Sequence, residues 1–518
     1  MTKDYDHTSP FEYKNILIEL GQKCEKNGGA SFLNAGRGNP NFFNTTVRDA
    51  FSFFHHFMAL DATKNPEYKE IAFYNIKKGI AKRLIEYLTK NREEKGAQFL
   101  MNAISFAENE FNLLPDELIA ALGSAVLGNF YPVPPRILKE VELIANQFLR
   151  KILYQDNNCP VDQNDFELFA TEGATMSMVY LFNSLKENKL LNSGDHIAIG
   201  TPIFSPYLEI PALKDFELKQ IHIKAEESSN WQLSKHEIDK LKDPKIKAFF
   251  LVNPSNPPGI ALDQDSIAHL VKLVKEKRPD LIILTDTVYA PFVEEFRSLV
   301  YELPKNTICV YSYSKYFGVT GWRLGLIMLH KENIFNELIH KLPEKEKQEL
   351  DRRYKTDSTD PRHLTFMERC VMDSRDIALA HTGGLSCPQQ VMMALMSLYE
   401  LMDSQCHYKH TLERLLKNRV ELLETGLGMK LLSGKHYSHY YILVNILDLA
   451  DKLGKKEAIE KISIRDFLHT LAEKYGVVAL DGDGFGAKGH YLRISLANLE
   501  SDSYLEIGKR INACIKQI

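Results

Sequence analysis

At about 100–200 residues per folding unit, a chain of 518 residues has room for two to four units with sizeable cores. Hydrophobic residues make up 44% and charged residues 25%, ordinary values for a folded protein, which excludes a disordered, collagen-like or disulfide-scaffold chain. The 64 Lys and Arg nearly balance the 68 Asp and Glu, for a formal net charge of -4, so there is no overall basic field to hold nucleic acid or an anionic membrane.

The amino terminus, MTKDYDHTSPFEYK, is polar and mixed in charge, with no apolar core of a secretory leader. No apolar run approaches the roughly 18 residues that span a bilayer. The seven cysteines (Cys24, Cys159, Cys309, Cys370, Cys387, Cys406, Cys514) are odd in number and include no Cys-x-x-Cys pair, which predicts free thiols and no zinc site. These features predict a cytoplasmic protein with no metal, nucleic-acid or membrane partner. Residues 50–130 carry helical stretches such as IKKGIAKRLIEYLTKNREE and read as an elaboration of a core further on.

From about residue 166 to 330 short apolar runs, FELFA, HIAIG, IKAFFLV, LIILT and TICVYS, alternate with turns and with helical stretches such as SIAHLVKLVKEK. That alternation predicts an α/β domain, its mainly parallel sheet covered on both faces. In such sheets ligands sit beyond the carboxyl ends of the strands, so chemistry is sought just after each run. Residues 331–380 are dense in charge and read as solvated helix and loop. The carboxyl third begins helical, in PQQVMMALMSLYELM and HTLERLLKNRVELLETG, and closes with VVAL, a Gly-rich turn, HYLRISLA and a final helix, which predicts a smaller α+β domain. The string Asp481 to Gly486 leads to a strand and not to a helix, so it is no dinucleotide loop.

The strand ends carry distinctive residues. After FELFA, Thr171-Glu172-Gly173-Ala174-Thr175 opens a helix, where free N–H groups and the positive dipole end favour a phosphate. After IKAFFLV comes NPSNPPG (253–259), a turn that fixes an amide side chain. LIILT is followed by Asp286 and, three residues on, Tyr289; TICVYS by Ser314-Lys315, with Arg323 eight residues beyond. A carboxylate that ends a buried strand is costly unless it meets a positive partner.

In order and spacing, GAT (173–175), NPSNPPG (253–259), DTVY (286–289), SYSK (312–315), GWRLG with Arg323 and RISLA (493–497) resemble the class I aminotransferase group of the fold-type I pyridoxal-phosphate enzymes. The resemblance implies a large domain with a seven-stranded-type sheet over residues 50–400, with insertions near 50–130 and 331–385. It also implies a small α+β domain built from 1–49 and 401–518, and pyridoxal 5'-phosphate as cofactor. Lys315 is implied to condense with the cofactor aldehyde and later to take the substrate Cα proton. Asp286 is implied to pair with the pyridine nitrogen and keep it protonated, and Asn256 and Tyr289 to hydrogen-bond the ring's phenolic oxygen. Ala174, Thr175, Ser312 and Arg323 match phosphate ligands. Phe204 matches the ring that covers the cofactor, and Tyr131 the tyrosine lent to a neighbouring subunit's phosphate, which makes a homodimer the smallest working unit. Arg493 matches the clamp on the substrate α-carboxylate, with Gly38 and Asn256 beside the substrate.

Two further features, Arg37 in LNAGRGNPNF behind SPFEYK (9–14), and the extra length near 50–130 and 331–385, resemble the branch of the family that removes the β-carboxylate of L-aspartate. That resemblance implies L-alanine and CO2 as products, residual aspartate transamination with 2-oxoglutarate or pyruvate as keto acids, and assemblies beyond the dimer such as a dodecamer. Arg37 and Lys14 are then expected to favour CO2 loss over hydrolysis. Arg352, Arg353, Arg362 and Arg375 are further candidates to meet the distal carboxylate. A plain aspartate or broad-specificity aminotransferase is the alternative. A cofactor-binding transcription regulator is disfavoured, since the first 40 residues are too few and too mixed in charge for a DNA-binding module.

Overall fold

The computed structural model describes residues 10–64, 66–68, 71–155, 158–213, 216–375 and 383–518. They pack as two compact units: a first of Met1–Phe42, Asn192–Phe296 and Lys409–Ile518, and a second of Phe43–Leu191 and Arg297–Tyr408.

Seven strands form one sheet: β1 (Phe166–Thr171), β2 (His196–Thr201), β3 (Lys219–Lys224), β4 (Ile246–Val252), β5 (Ile282–Asp286), β6 (Thr307–Ser312) and β7 (Gly325–His330), in the order β1-β7-β6-β5-β4-β2-β3. β2 pairs in parallel with β3 and β4, and β4 with β5. β7 runs antiparallel to both β1 and β6. All five expected apolar runs are strands. Two strands escape the sequence pattern. β3, KQIHIK, lies at an edge where only Ile223 is buried, so it carries no apolar run. β7, GLIMLH, is wholly buried, but a short apolar run of this kind reads as helix or strand until its neighbours are known.

The first unit takes β2 to β5 of these strands, and it holds helix α1 (Pro10–Lys26), which lies against helix Ile464–Tyr475, and a three-stranded antiparallel sheet. In that sheet β8 (Tyr441–Asn445) and β9 (Leu480–Asp481) flank β10 (Tyr491–Ser495). Tyr441 faces Ser495, and Leu443 faces Arg493. Side chains two apart share a face of a strand, so this register puts Tyr441 diagonally beside Arg493.

In the second unit the 50–130 region is helical as expected: α2 (Thr45–Ala62), α3 (Ile80–Thr89), α4 (Lys95–Phe111) and α5 (Pro115–Leu127) pack on one another, and α6 (Lys139–Leu153) and α7 (Ala174–Glu187) follow. The charged stretch after 331 is more than solvated helix and loop. Helix Phe366–Asp373 delivers a buried carboxylate, Asp373, which accepts hydrogen bonds from Ser184 Oγ (2.7 Å), Asn188 Nδ2 (3.0 Å), Tyr354 Oη (2.9 Å) and Arg353 Nη2 (3.0 Å). The charge is there to pair, and it docks the segment onto α7. Among the described residues no helix is long and apolar enough to cross a membrane.

Candidate active site

The candidate residues fall into two groups, one in each unit. In the first unit, Asp286 ends β5 and is buried. Tyr207 Oη donates to its Oδ2 at 2.8 Å and the Val288 N–H to its Oδ1 at 3.0 Å, so the carboxylate is held at both oxygens. Burial and then the Asp286 charge push the Tyr207 phenol well above its ordinary range, so it stays a donor. Phe204, half-buried, meets the Tyr207 ring edge-on at 5.2 Å. In the turn after β4, Asn256 Nδ2 donates to Tyr289 Oη at 3.3 Å, while Asn256 Oδ1 is buried without a partner among the described residues.

Arg493, on β10, is 2% exposed. Its guanidinium carbon lies 3.8 Å from the centroid of the Tyr441 ring and 5.0 Å from that of Phe485, and its Nε and Nη1 have no partner among the described residues. A buried cation between two π faces with two idle donors is built to receive a forked acceptor such as a carboxylate. Lys14, on α1, stands within electrostatic reach: burial first, then Arg493 and Arg37, lower its ammonium below the ordinary lysine value, against Glu12 and Tyr441. Arg37 is exposed, and the carbonyl of neighbouring Gly38 accepts from Tyr440 Oη at 2.8 Å. Lys14 thus lies within electrostatic reach of both Arg37 and Arg493.

In the second unit, α7 begins at Ala174, with Gly173 as its N-cap at φ 90°. A side chain there is strained, and a Cβ would stand 2.5 Å from Arg323 Nη2. Glycine is what lets the guanidinium lie over the helix start, where Nη2 donates to the Glu172 carbonyl at 3.1 Å and Nη1 to that of Thr320 at 2.9 Å. Thr175 is exposed on the first turn. Ser312, buried at the end of β6, donates from Oγ towards Ser314 Oγ (2.9 Å) and the Leu324 carbonyl (3.1 Å). Lys315 is partly buried, and its segment is anchored on both sides: Tyr313 Oη bonds Ser397 Oγ at 2.9 Å, and Tyr316 Oη donates to the buried Glu400 at 2.9 Å. Tyr131 is 65% exposed.

The candidate arginines for the distal carboxylate are mostly engaged. Arg353 pairs with Asp373 and Glu187, Arg362 with Asp351 and Glu344, and Arg375 with Glu172. Arg352 is exposed in the last turn of helix Glu344–Tyr354. Among the described residues no group of three or more His, Cys, Asp or Glu could hold a metal ion.

Sequence reading misses Tyr207, Tyr440, Tyr441 and Phe485. For Tyr207 a signal exists, a second aromatic three residues after Phe204 at a strand end. Tyr440 and Tyr441 sit in an apolar, aromatic run that reads as core, and only strand register shows which face each presents. Beside them His439, 6% exposed with φ 51°, is pushed down to about 4 from 6.5 by burial and then Lys417, against Glu294 and Glu424. The unfolded chain takes up a proton that the folded one refuses, so stability is lost as pH falls from about 6.5 towards about 4, by up to about 1.4 kcal/mol per pH unit for full burial. His439→Asn, which tolerates that backbone, flattens the slope of urea midpoint against pH in that window; an unchanged slope assigns the titration elsewhere.

Each group, taken by itself, offers chemistry suited to part of pyridoxal 5'-phosphate. One offers a doubly held carboxylate for a ring nitrogen and an amide with an idle oxygen; the other offers the open N-terminus of α7, a fixed guanidinium and hydroxyls for a phosphate, with an amine nearby in sequence. Residues 153–511 match the family described as aminotransferase class I and II. A Pseudomonas protein named bifunctional aspartate aminotransferase and L-aspartate beta-decarboxylase is 42% identical over 520 residues, 99% of this chain and 97% of that protein. An aspartate aminotransferase of Rhizobium meliloti is 26% identical over 68% of this chain and 76% of its own. The solved double mutant of Thermus thermophilus aspartate aminotransferase shares the fold, with a TM-score of 0.61 at 15% identity over 97% of this chain and 96% of its own.

Proposed function

The chain belongs to the class I and II aminotransferases, and from that premise we propose that it is a pyridoxal-phosphate enzyme that removes the β-carboxylate of L-aspartate, giving L-alanine and CO2, and also transaminates aspartate. The observation that carries the substrate class is the buried Arg493 with two idle donors, flanked by Lys14 and Arg37. That is cation enough for both carboxylates of a dicarboxylic amino acid.

Arg493 receives the α-carboxylate by a fork of two hydrogen bonds, which orients the amine and Cα. Lys315 holds the cofactor aldehyde and then takes the Cα proton. Asp286, pinned by Tyr207 and Val288, pairs with the ring nitrogen; Asn256 and Tyr289 meet the ring's phenolic oxygen. Ala174, Thr175, Ser312 and Arg323 hold the phosphate, Phe204 covers the ring, and the Gly38 backbone borders the substrate. When bound, the cofactor supplies the electron sink for the carbanion. Arg37 and Lys14 orient the distal carboxylate. A tight ion pair would stabilise that group more before C–C cleavage than after it, so a loose hold favours CO2 loss. A lysine whose proton affinity burial and neighbouring cations have lowered gives such a hold.

In functional terms residues 50–400 form the cofactor domain, and 1–49 with 401–518 form the small domain that carries Lys14, Arg37 and Arg493. The protein works in the cytoplasm, as a homodimer at least, with the exposed Tyr131 lent to the neighbour's phosphate site and a dodecamer as the larger assembly. The deciding experiment supplies L-aspartate with no keto acid. The decarboxylase evolves CO2 over many turnovers, whereas a plain aminotransferase releases one equivalent of oxaloacetate per site, keeps the amino group and stops. In Arg37→Ala the ratio of alanine to oxaloacetate falls about tenfold, the effect of about 1.4 kcal/mol between competing barriers; an unchanged ratio removes Arg37 from the partition.

A further inference from the structure

We propose that Tyr441 is a positioning residue whose hydroxyl couples the carboxylate clamp at Arg493 to the Tyr289 phenol, and through it to the cofactor's ring oxygen. The inference rests on the cofactor reading above and goes beyond it, because it gives this tyrosine two separable functions. Its ring is the floor of the clamp, with the Arg493 guanidinium carbon 3.8 Å from the ring centroid. Its edge meets Tyr289: the two rings stand at 78° with centroids 5.5 Å apart and share a side-chain hydrogen bond. Both side chains are buried, so water does not compete for that bond.

Proton counting leaves two directions for that bond, of which one serves a cofactor. Asn256 Nδ2 already donates into Tyr289 Oη at 3.3 Å. Each phenol has one proton, so the pair can place one O–H between its oxygens and has one left for a third acceptor. If Tyr441 donates to Tyr289, the Tyr289 proton is the one left over, and the acceptor it is positioned to meet is the phenolic oxygen of the cofactor. Receiving two hydrogen bonds makes the Tyr289 O–H a stronger donor. The Arg493 charge over the Tyr441 ring in turn strengthens Tyr441 as a donor. A carboxylate docking on Arg493 cancels that charge, weakens the chain Tyr441→Tyr289→ring oxygen, and makes the cofactor hold its own proton more tightly. Arrival of the substrate would thereby reset the proton affinity of the cofactor without direct contact between carboxylate and ring.

The test is a spectrophotometric pH titration of the holoenzyme's cofactor absorption, with and without succinate as an unreactive dicarboxylate, in the parent, Tyr441→Phe and Tyr289→Phe. Phenylalanine keeps the ring under Arg493 and removes only the hydroxyl. In Tyr441→Phe the midpoint rises by about half a pH unit, in the same direction as in Tyr289→Phe, and the further rise caused by succinate shrinks to about half or less. Succinate affinity in Tyr441→Phe stays within about threefold of the parent, while Tyr441→Leu, which loses the ring too, weakens it by about three- to thirtyfold. Thermal melts of the cofactor-free forms confirm that the variants fold. If Tyr289→Phe moves the midpoint and Tyr441→Phe titrates as the parent does, the hydroxyl only packs, and the coupling is wrong while the cofactor reading stands. If the parent shows no visible cofactor absorption, the cofactor reading fails and this inference with it.

Discussion

Lys315→Ala is expected to lower alanine release from L-aspartate on the order of 10⁴-fold, and oxaloacetate formation with it, because in the proposed mechanism one amine serves as cofactor anchor and as base for the Cα proton. The loss is chemical and not structural. The segment is fixed by Tyr313 on Ser397 and Tyr316 on the buried Glu400, and neither contact uses the lysine. The melting temperature of the variant therefore stays near the parent's, its visible cofactor absorption disappears, and a small primary amine added in solution restores part of the proton transfer. Initial rates with L-aspartate settle it. A variant within tenfold of the parent would show that another group is the base.

Arg493→Ala lowers kcat/KM for L-aspartate by about 30- to 5,000-fold, the roughly 2–5 kcal/mol lost when one partner of a buried, hydrogen-bonded charge pair is removed. The structure argues for the upper part of that range, since the guanidinium is 2% exposed and water cannot replace it. Arg493→Lys recovers only a fraction, because an ammonium supplies charge but not the planar fork, and stacks less well between Tyr441 and Phe485. An amine without an α-carboxylate should react equally slowly with parent and variant. Equal kcat/KM for aspartate in the parent and Arg493→Ala would place the α-carboxylate elsewhere.

What could be read from the chain alone depended on how local its physics is. The runs FELFA, HIAIG, IKAFFLV, LIILT and TICVYS announce buried strands because burial on both faces demands continuous apolar residues. β3 has no such run because it is an edge, and β7 is ambiguous because Leu, Ile and Met suit helix and strand alike. Gly173 was legible as part of a phosphate-type turn, while its steric reason, the Arg323 guanidinium a Cβ would strike, was not. The charged 331–375 segment reads as solvent-facing from composition, yet Asp373 is buried, since composition cannot tell a carboxylate that faces water from one that meets Ser184, Asn188, Arg353 and Tyr354.

By itself, then, the sequence determined the α/β class and the strand ends where chemistry collects, because those features are written in short segments, and through its resemblance to a known family it nominated Lys315, Asp286, Asn256, Arg323 and Arg493 as the candidates. Tertiary structure alone decided which groups support them. Tyr207 reaches Asp286 across 79 positions, and Tyr441 meets Arg493 through an antiparallel register between segments some fifty residues apart. Lys14, on an amino-terminal helix, feels the charge of Arg493 near the other end of the chain. Hydrogen bonds and Coulomb forces act over a few ångströms of space whatever the separation in sequence, so only the folded arrangement can show where they operate.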